Sequence, residues 1–161
     1  MSYITARPSS RRARRSRGQA LVEFALVFPI FMLVLSGIMD FGFMLYSRMS
    51  VINASREAAH AAIVVSDPGT IQTVAEGAAV AVASQGGVSI SGSSVHVSCL
   101  ATHISPTSPS SVTCGSAVQG DSVVVEVDYT YHSFFPLSFG ATLNLSSTTQ
   151  MVLEGAPAAS S

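Results

Sequence analysis

Hydrophobic positions fall into three regimes along the chain. Residues 19 to 46, QALVEFALVFPIFMLVLSGIMDFGFMLY, are apolar almost without interruption. Residues 47 to 84 are mixed, with apolar side chains returning every three or four positions. From Val88 onward, apolar and polar residues alternate in short runs broken by Gly, Ser and Pro. These patterns point in turn to a rod surrounded by apolar matter, to amphipathic helices and to half-buried strands.

The continuous run carries no charge from Phe24 to Met39 and is bracketed by two carboxylates, Glu23 and Asp40. Its uncharged part spans roughly 24 Å as a helix, and residues 20 to 46 exceed the ~30 Å hydrocarbon core of a bilayer. A transmembrane helix over about 20–46 is therefore predicted. A buried core helix fits less well, because a chain of 161 residues has too little else to cover such a rod on every side. Pro29 removes one backbone donor and is expected to kink or loosen the turn before it. Gly37 and Gly42 do not form G-x-x-x-G, so packing there reads as generic. Asp40 reads as a marker of the outer interface.

Val51, Ala54, Ala58, Ala61 and Val65 carry the helical period onward, and Asp67-Pro68-Gly69 stops it. One long helix over 19–66 follows. A second helix is predicted over 70–84, with Ile71, Val74, Ala75, Ala78 and Val82 on one face and Gln85-Gly86-Gly87 closing it. Strands are predicted over 88–90, 95–100, 122–131 and 141–153. The clearest has Val123, Val125, Val127 and Tyr129 on one side and Val124, Glu126, Asp128 and Thr130 on the other. The expected fold class is α+β. A long N-terminal transmembrane helix continues into a small head, residues 67–161, with a second helix, a three- to four-stranded antiparallel sheet and a disordered tail from Ala156.

Charge sharpens the division. All eight basic residues are arginine, and six of them, Arg7, Arg11, Arg12, Arg14, Arg15 and Arg17, precede Gly18. After Gly18, Arg48 and Arg56 face nine carboxylates, a net charge of −7 hidden inside the chain total of −1. Charged residues are only 11% of the chain, against roughly 25% in soluble domains, which argues against a free-standing cytosolic protein. The arginines ahead of the apolar run place the N-terminus in the cytoplasm and the head outside. An unstructured basic arm at this position is topogenic rather than a nucleic-acid site.

Candidate chemistry is sparse. No nucleophile elbow, zinc-protease, phosphate-loop or dinucleotide motif occurs, so neither an enzyme, a cofactor nor a small-molecule substrate is expected. Glu126 and Asp128 read as solvated strand surface. His60 has no metal partner at helical spacing. Cys99 and Cys114, in an exported head, are expected to pair, closing a loop worth roughly 3 kcal/mol. Zinc held with His96 and His103 is the alternative, at a spacing that matches no standard structural site.

The junction Arg17-Gly18-Gln19-Ala20-Leu21-Val22-Glu23-Phe24 puts a glycine at the end of a basic leader and a carboxylate five residues later. It resembles the processing site of type IV prepilins, and Phe24 after the glutamate is similar to the Tad branch of that superfamily. Residues 55–62, SREAAHAA, resemble the alanine-rich stretch of TadE-like proteins, in which an arginine often stands where His60 does. The strand run 123–129, Phe135-Pro136-Leu137, Gly140 and Met151-Val152-Leu153-Glu154 resemble TadE- and TadG-like minor pilins more loosely.

The resemblance implies a pilin-like head and a leader, residues 1–18, cut between Gly18 and Gln19 by a membrane-embedded prepilin peptidase. It implies that Glu23 neutralises the new Gln19 amine of a neighbouring subunit during assembly. The implied partners are the inner membrane, that peptidase, other pilins or pseudopilins and the assembly platform of a Tad (Flp) pilus, an adhesive surface filament. The resemblance further implies that major Tad pilins are much shorter, which favours a minor role. Two alternatives stay open: a permanently anchored single-pass protein whose head binds a ligand or partner, and a protein secreted by signal peptidase.

Overall fold

The computed structural model describes residues 12–102, 104–134 and 140–154, with side chains from Gly18 onward. Arg7, Arg11, the side chains of Arg12, Arg14, Arg15 and Arg17, His103, the segment 135–137 and the tail from Ala156 lie outside the described residues. One helix, α1 (Arg12–Ile63), dominates the chain. It begins within the arginine cluster, earlier than the hydrophobic pattern suggested, because arginine is a good helix former and nothing breaks the helix before the apolar run. It continues through Pro29 as one helix.

Every residue from Gly18 to Leu35 is exposed, a bare rod of about 27 Å. From Ser36 onward, α1 turns one side to the head. Gly37, Asp40 and Met44 are half-buried, and Ser47, Ser50, Val51, Ala54, Ser55, Ala58, Ala59 and Ala62 are buried. Ala61 and Val65, expected on this stripe, are only half-buried. The buried arc is wide because α1 lies between two neighbours. Ser50 meets the end of a second helix and Ser55 meets the sheet, and residues five apart lie roughly 140° apart around a helix.

The 3-10 turn Pro68–Thr70 is capped by the Asp67 carboxylate, which accepts from Gly69 N at 3.0 Å. It leads into α2 (Ile71–Gln85). The buried side chains of α2 are Ile71, Ala75, Ala79 and Ala83, a strict four-residue stripe; Val74 faces solvent and Ala78 and Val82 are half-buried. Small residues win the inner face because alanine lets α1 and α2 approach closely. Gly87, at φ +66°, ends α2. Val88 N donates to Ala83 O at 2.9 Å and Gly87 N to Ser84 O at 3.0 Å, the paired bonds of a Schellman motif. Residues 88–90, expected as a strand, are therefore not one. Val88, buried against the core, is the apolar anchor of the helix stop.

The sheet has the order β2-β1-β3-β4, antiparallel throughout. Its strands are β1 (Val95–Leu100), β2 (Ser111–Val112), β3 (Ser122–His132) and β4 (Thr142–Val152). Val123, Val125, Val127 and Tyr131 of β3 point into the core, as the alternation required. The short β2, made by the loop between the cysteines, gave no sequence signal.

β4 lies against α1 and runs the same way. Asp40 meets the end of β3 beside the start of β4, Ser55 meets the middle of β4, and Ile63 O accepts from Glu154 N just past its end. The head thus has one end at Asp40 and the other at Ile63, about 35 Å along the helix.

Candidate assembly site and the helix–head junction

Gly18, Gln19, Glu23 and Phe24 all lie on the bare part of α1 and touch nothing in the head. Gln19 Nε2 donates to Glu23 Oε1 at 3.0 Å, one helical turn apart. Phe24 stacks on Phe28 with ring centroids 5.3 Å apart. The surroundings of Gly18 are open, with no atom within 4 Å of the place a Cβ would occupy. A glycine inside a helix costs about 1 kcal/mol against alanine, and this one admits no neighbour and turns no corner. The fold gives no reason for it.

The second constellation sits where α1 first meets the head. Tyr131 O–H donates to Asp40 Oδ1 at 2.8 Å, Ser133 O–H donates to Asp40 Oδ2 at 2.5 Å, and Phe134 N–H donates to Oδ1 at 3.2 Å. The carboxylate at the end of the apolar run is thereby satisfied by the last residues of β3 and those just after it. Asp40 is a latch between rod and head as well as a boundary residue. Burial, and then the contact with Asp40, push the Tyr131 phenol up to about 12, so it stays a donor at neutral pH. Phe43 packs edge-on against Phe134 just beyond, with centroids 5.8 Å apart. The sequence signal for this latch was a single carboxylate at the end of an apolar run. Its partners, 91 to 94 residues away, had none.

Ser55 forms a third polar contact that sequence reasoning missed. Its hydroxyl donates to Ile52 O at 3.0 Å and lies 2.9 Å from Ser147 Oγ and 3.0 Å from Thr149 Oγ1. Ser147 and Thr149 occupy inward positions of β4, where the alternation pattern would put apolar residues.

Cys99 and Cys114 are joined in a disulfide, with Cα atoms 5.2 Å apart. It fastens β1 to the 3-10 turn that follows β2, at the end of the head remote from Asp40. His96 instead lies on the outer sheet face, with Nε2 3.4 Å from Asp128 Oδ2 and both side chains largely exposed. Glu126 is half-buried on the same face, directly across from His96. His60 is exposed on α1. Among the described residues, no cluster of three or more His, Cys, Asp or Glu has metal-binding geometry.

No curated protein and no solved structure matches the chain. Residues 18–60, from Gly18 through the bare rod to the docked part of α1 and about a quarter of the chain, match the family model described as TadE-like protein; this similarity and an exposed apolar helix long enough to cross a membrane fit a membrane-anchored component of a Tad pilus.

Proposed function

We propose that the protein is a minor pilin or pseudopilin of a Tad pilus, released from its leader by a prepilin peptidase between Gly18 and Gln19. The observation that carries this reading is Gly18 itself: a glycine in an open, uninterrupted helix, five residues before a lone carboxylate on a bare apolar rod. A peptidase that must unwind and enter the backbone at this point supplies the reason for a residue that weakens the helix there. The TadE-like family is structural and non-enzymatic, in keeping with a filament or assembly role.

Cleavage changes the electrostatics of Glu23. In the uncut chain, α1 starts at Arg12, so Glu23 is about three turns from the helix end and gains nothing from the macrodipole. After cleavage, the helix begins at Gln19 with a free ammonium, and Glu23 lies in its opening turns. There the positive helix end and the Gln19 amine of a neighbouring subunit both favour the carboxylate, which a bilayer boundary otherwise penalises by several kcal/mol. Loss of the leader also removes the six arginines that orient insertion.

N-terminal sequencing of the mature protein tests the reading. Gln19 as first residue is expected; Met1 or Ser2 would establish a permanent anchor, and a start beyond Gly37 would establish secretion. Gly18→Ala is expected to block processing, and normal cutting and assembly of that variant would overturn the proposal. Glu23→Ala is expected to leave cleavage intact and abolish filament incorporation, read in sheared surface fractions. Unchanged incorporation would leave Glu23 as a residue that merely reaches for the interface.

A further inference from the structure

The length of the bare rod and the position of the latch together fix how deep the head sits. From Gln19 to Asp40 the helix rises about 32 Å, the thickness of a bilayer hydrocarbon core. The outer membrane boundary then falls at Asp40, where Tyr131, Ser133 and Phe134 are bonded to the helix. The described residues at the end of β3 and the start of β4 are held at that depth. Its described side chains there are unusual for an exposed edge: Phe134 is 55% exposed and Leu143 is 47% exposed. Beside them, Ile38, Met39, Phe41 and Phe43 of α1 are also exposed, so apolar side chains of the rod and of the head lie side by side here. Between helix and hairpin lies an open hollow of about 420 Å³ lined by Gly37, Phe41, Met44, Tyr131, Ala141 and Leu143, almost wholly apolar apart from the Asp40 latch at its side.

We infer that the β3–β4 end of the head is a second membrane contact, with Phe134 and Leu143 seated in the outer interface and a lipid acyl chain filling the hollow beside Gly37. The occupant is lipid because the patch lies beside the lipid-facing side of α1 and at the depth where that side ends. Phe134 and Leu143 have no polar tip, so burial of their apolar surface alone draws them into the acyl side of this zone. The described backbone at the ends of β3 and β4 stays out of the hydrocarbon, as it must, because the Asp40 latch sets the height of the head.

This inference rests on the reading of α1 as a membrane anchor, and the experiment separates the two. The chain has no tryptophan, so single substitutions give a clean fluorescent reporter in the full-length protein reconstituted in phosphatidylcholine vesicles at low protein density. Phe31→Trp reports the anchor, Phe134→Trp and Leu143→Trp the hairpin, and Val152→Trp, on an exposed position at the far end of β4, the remote end of the head. Surface side chains seated in the interface enter the headgroup–acyl boundary by ~5–10 Å, so vesicles with brominated acyl chains are expected to quench Phe134→Trp and Leu143→Trp about two-fold. Phe31→Trp should be quenched more strongly and Val152→Trp not at all. Quenching of Phe31→Trp with none at either hairpin position overturns the second contact and leaves the anchor standing. Blue-shifted hairpin emission without lipid quenching means that protein covers the patch, which also overturns it. No quenching at Phe31→Trp overturns the anchor, and the second contact with it.

Discussion

Ser55→Ala is a sharp test of how the head is fastened to its helix. Ser55 is fully buried, and its hydroxyl is used to capacity: one proton goes to Ile52 O, and two lone pairs face the hydroxyls of Ser147 and Thr149. Removing it takes the acceptor from both β4 side chains, at about 1 kcal/mol per hydrogen bond. Alanine returns roughly 0.5 kcal/mol as the better helix former. The expected net loss is about 1.5 kcal/mol, which moves a urea midpoint down by ~0.5–1.5 M for slopes of ~1–3 kcal/mol/M. The assay is urea unfolding of the full chain in detergent micelles, followed by near-ultraviolet circular dichroism of the tyrosines. A triple variant, Ser55→Ala with Ser147→Ala and Thr149→Val, replaces both β4 partners by apolar groups and should recover most of the loss. If Ser55→Ala alone is as stable as the parent or more so, helix propensity outweighs the hydroxyl cluster and the reasoning fails.

Four other outcomes follow from the structure. A Cβ at Gly86 would collide with Ser50 Oγ and stand 2.9 Å from Ser50 Cβ, so Gly86→Ala should cost about 1–3 kcal/mol. Gly77→Ala, in open space on α2, should instead raise the melting temperature, by about 1 kcal/mol of stability. Reducing the Cys99–Cys114 disulfide, whose ends are 15 residues apart, should cost roughly 3 kcal/mol on the chain-entropy account, and amide exchange should quicken first at β2. For Tyr131, the phenol is raised from 10.0 to about 12 on folding. Its contribution is therefore whole below pH 10 and is lost as pH climbs from there through 12. Thermal melts should show that alkaline loss in the parent and a smaller one in Tyr131→Phe; equal losses would remove Tyr131 as the cause.

The long helix, the second helix and three of the four strands were legible in the sequence because each has a period that only one backbone geometry satisfies. The misreadings have specific physical sources. Residues 88–90 look like a strand because Val and Ile alternate with Ser there, yet Val88 is committed to closing α2 over Ala83. Of the inner face predicted for α2, Ile71 and Ala75 are buried, but close approach of α1 gives the rest to Ala79 and Ala83 in place of Val74, Ala78 and Val82. The short β2 exists because the disulfide folds its loop back onto β1, a constraint invisible to local propensity. Of the candidate sites, the Gly18–Glu23 spacing was plain because it is local. The Asp40 and Ser55 contacts were not, since each joins α1 to strands more than 90 residues away by hydrogen bonds that leave no periodic mark.

The way the head lies along α1 also has a mechanical meaning. Asp40 holds one end of it, Ser55 the middle and Ile63 O the other end, with β4 running alongside the helix between them. A pull along the helix axis, such as one drawing the rod out of the bilayer, loads these attachments together in shear instead of peeling them off one after another. The rod and its head therefore travel as one body under axial tension, while a sideways tug at the hairpin end strains the Asp40 latch first.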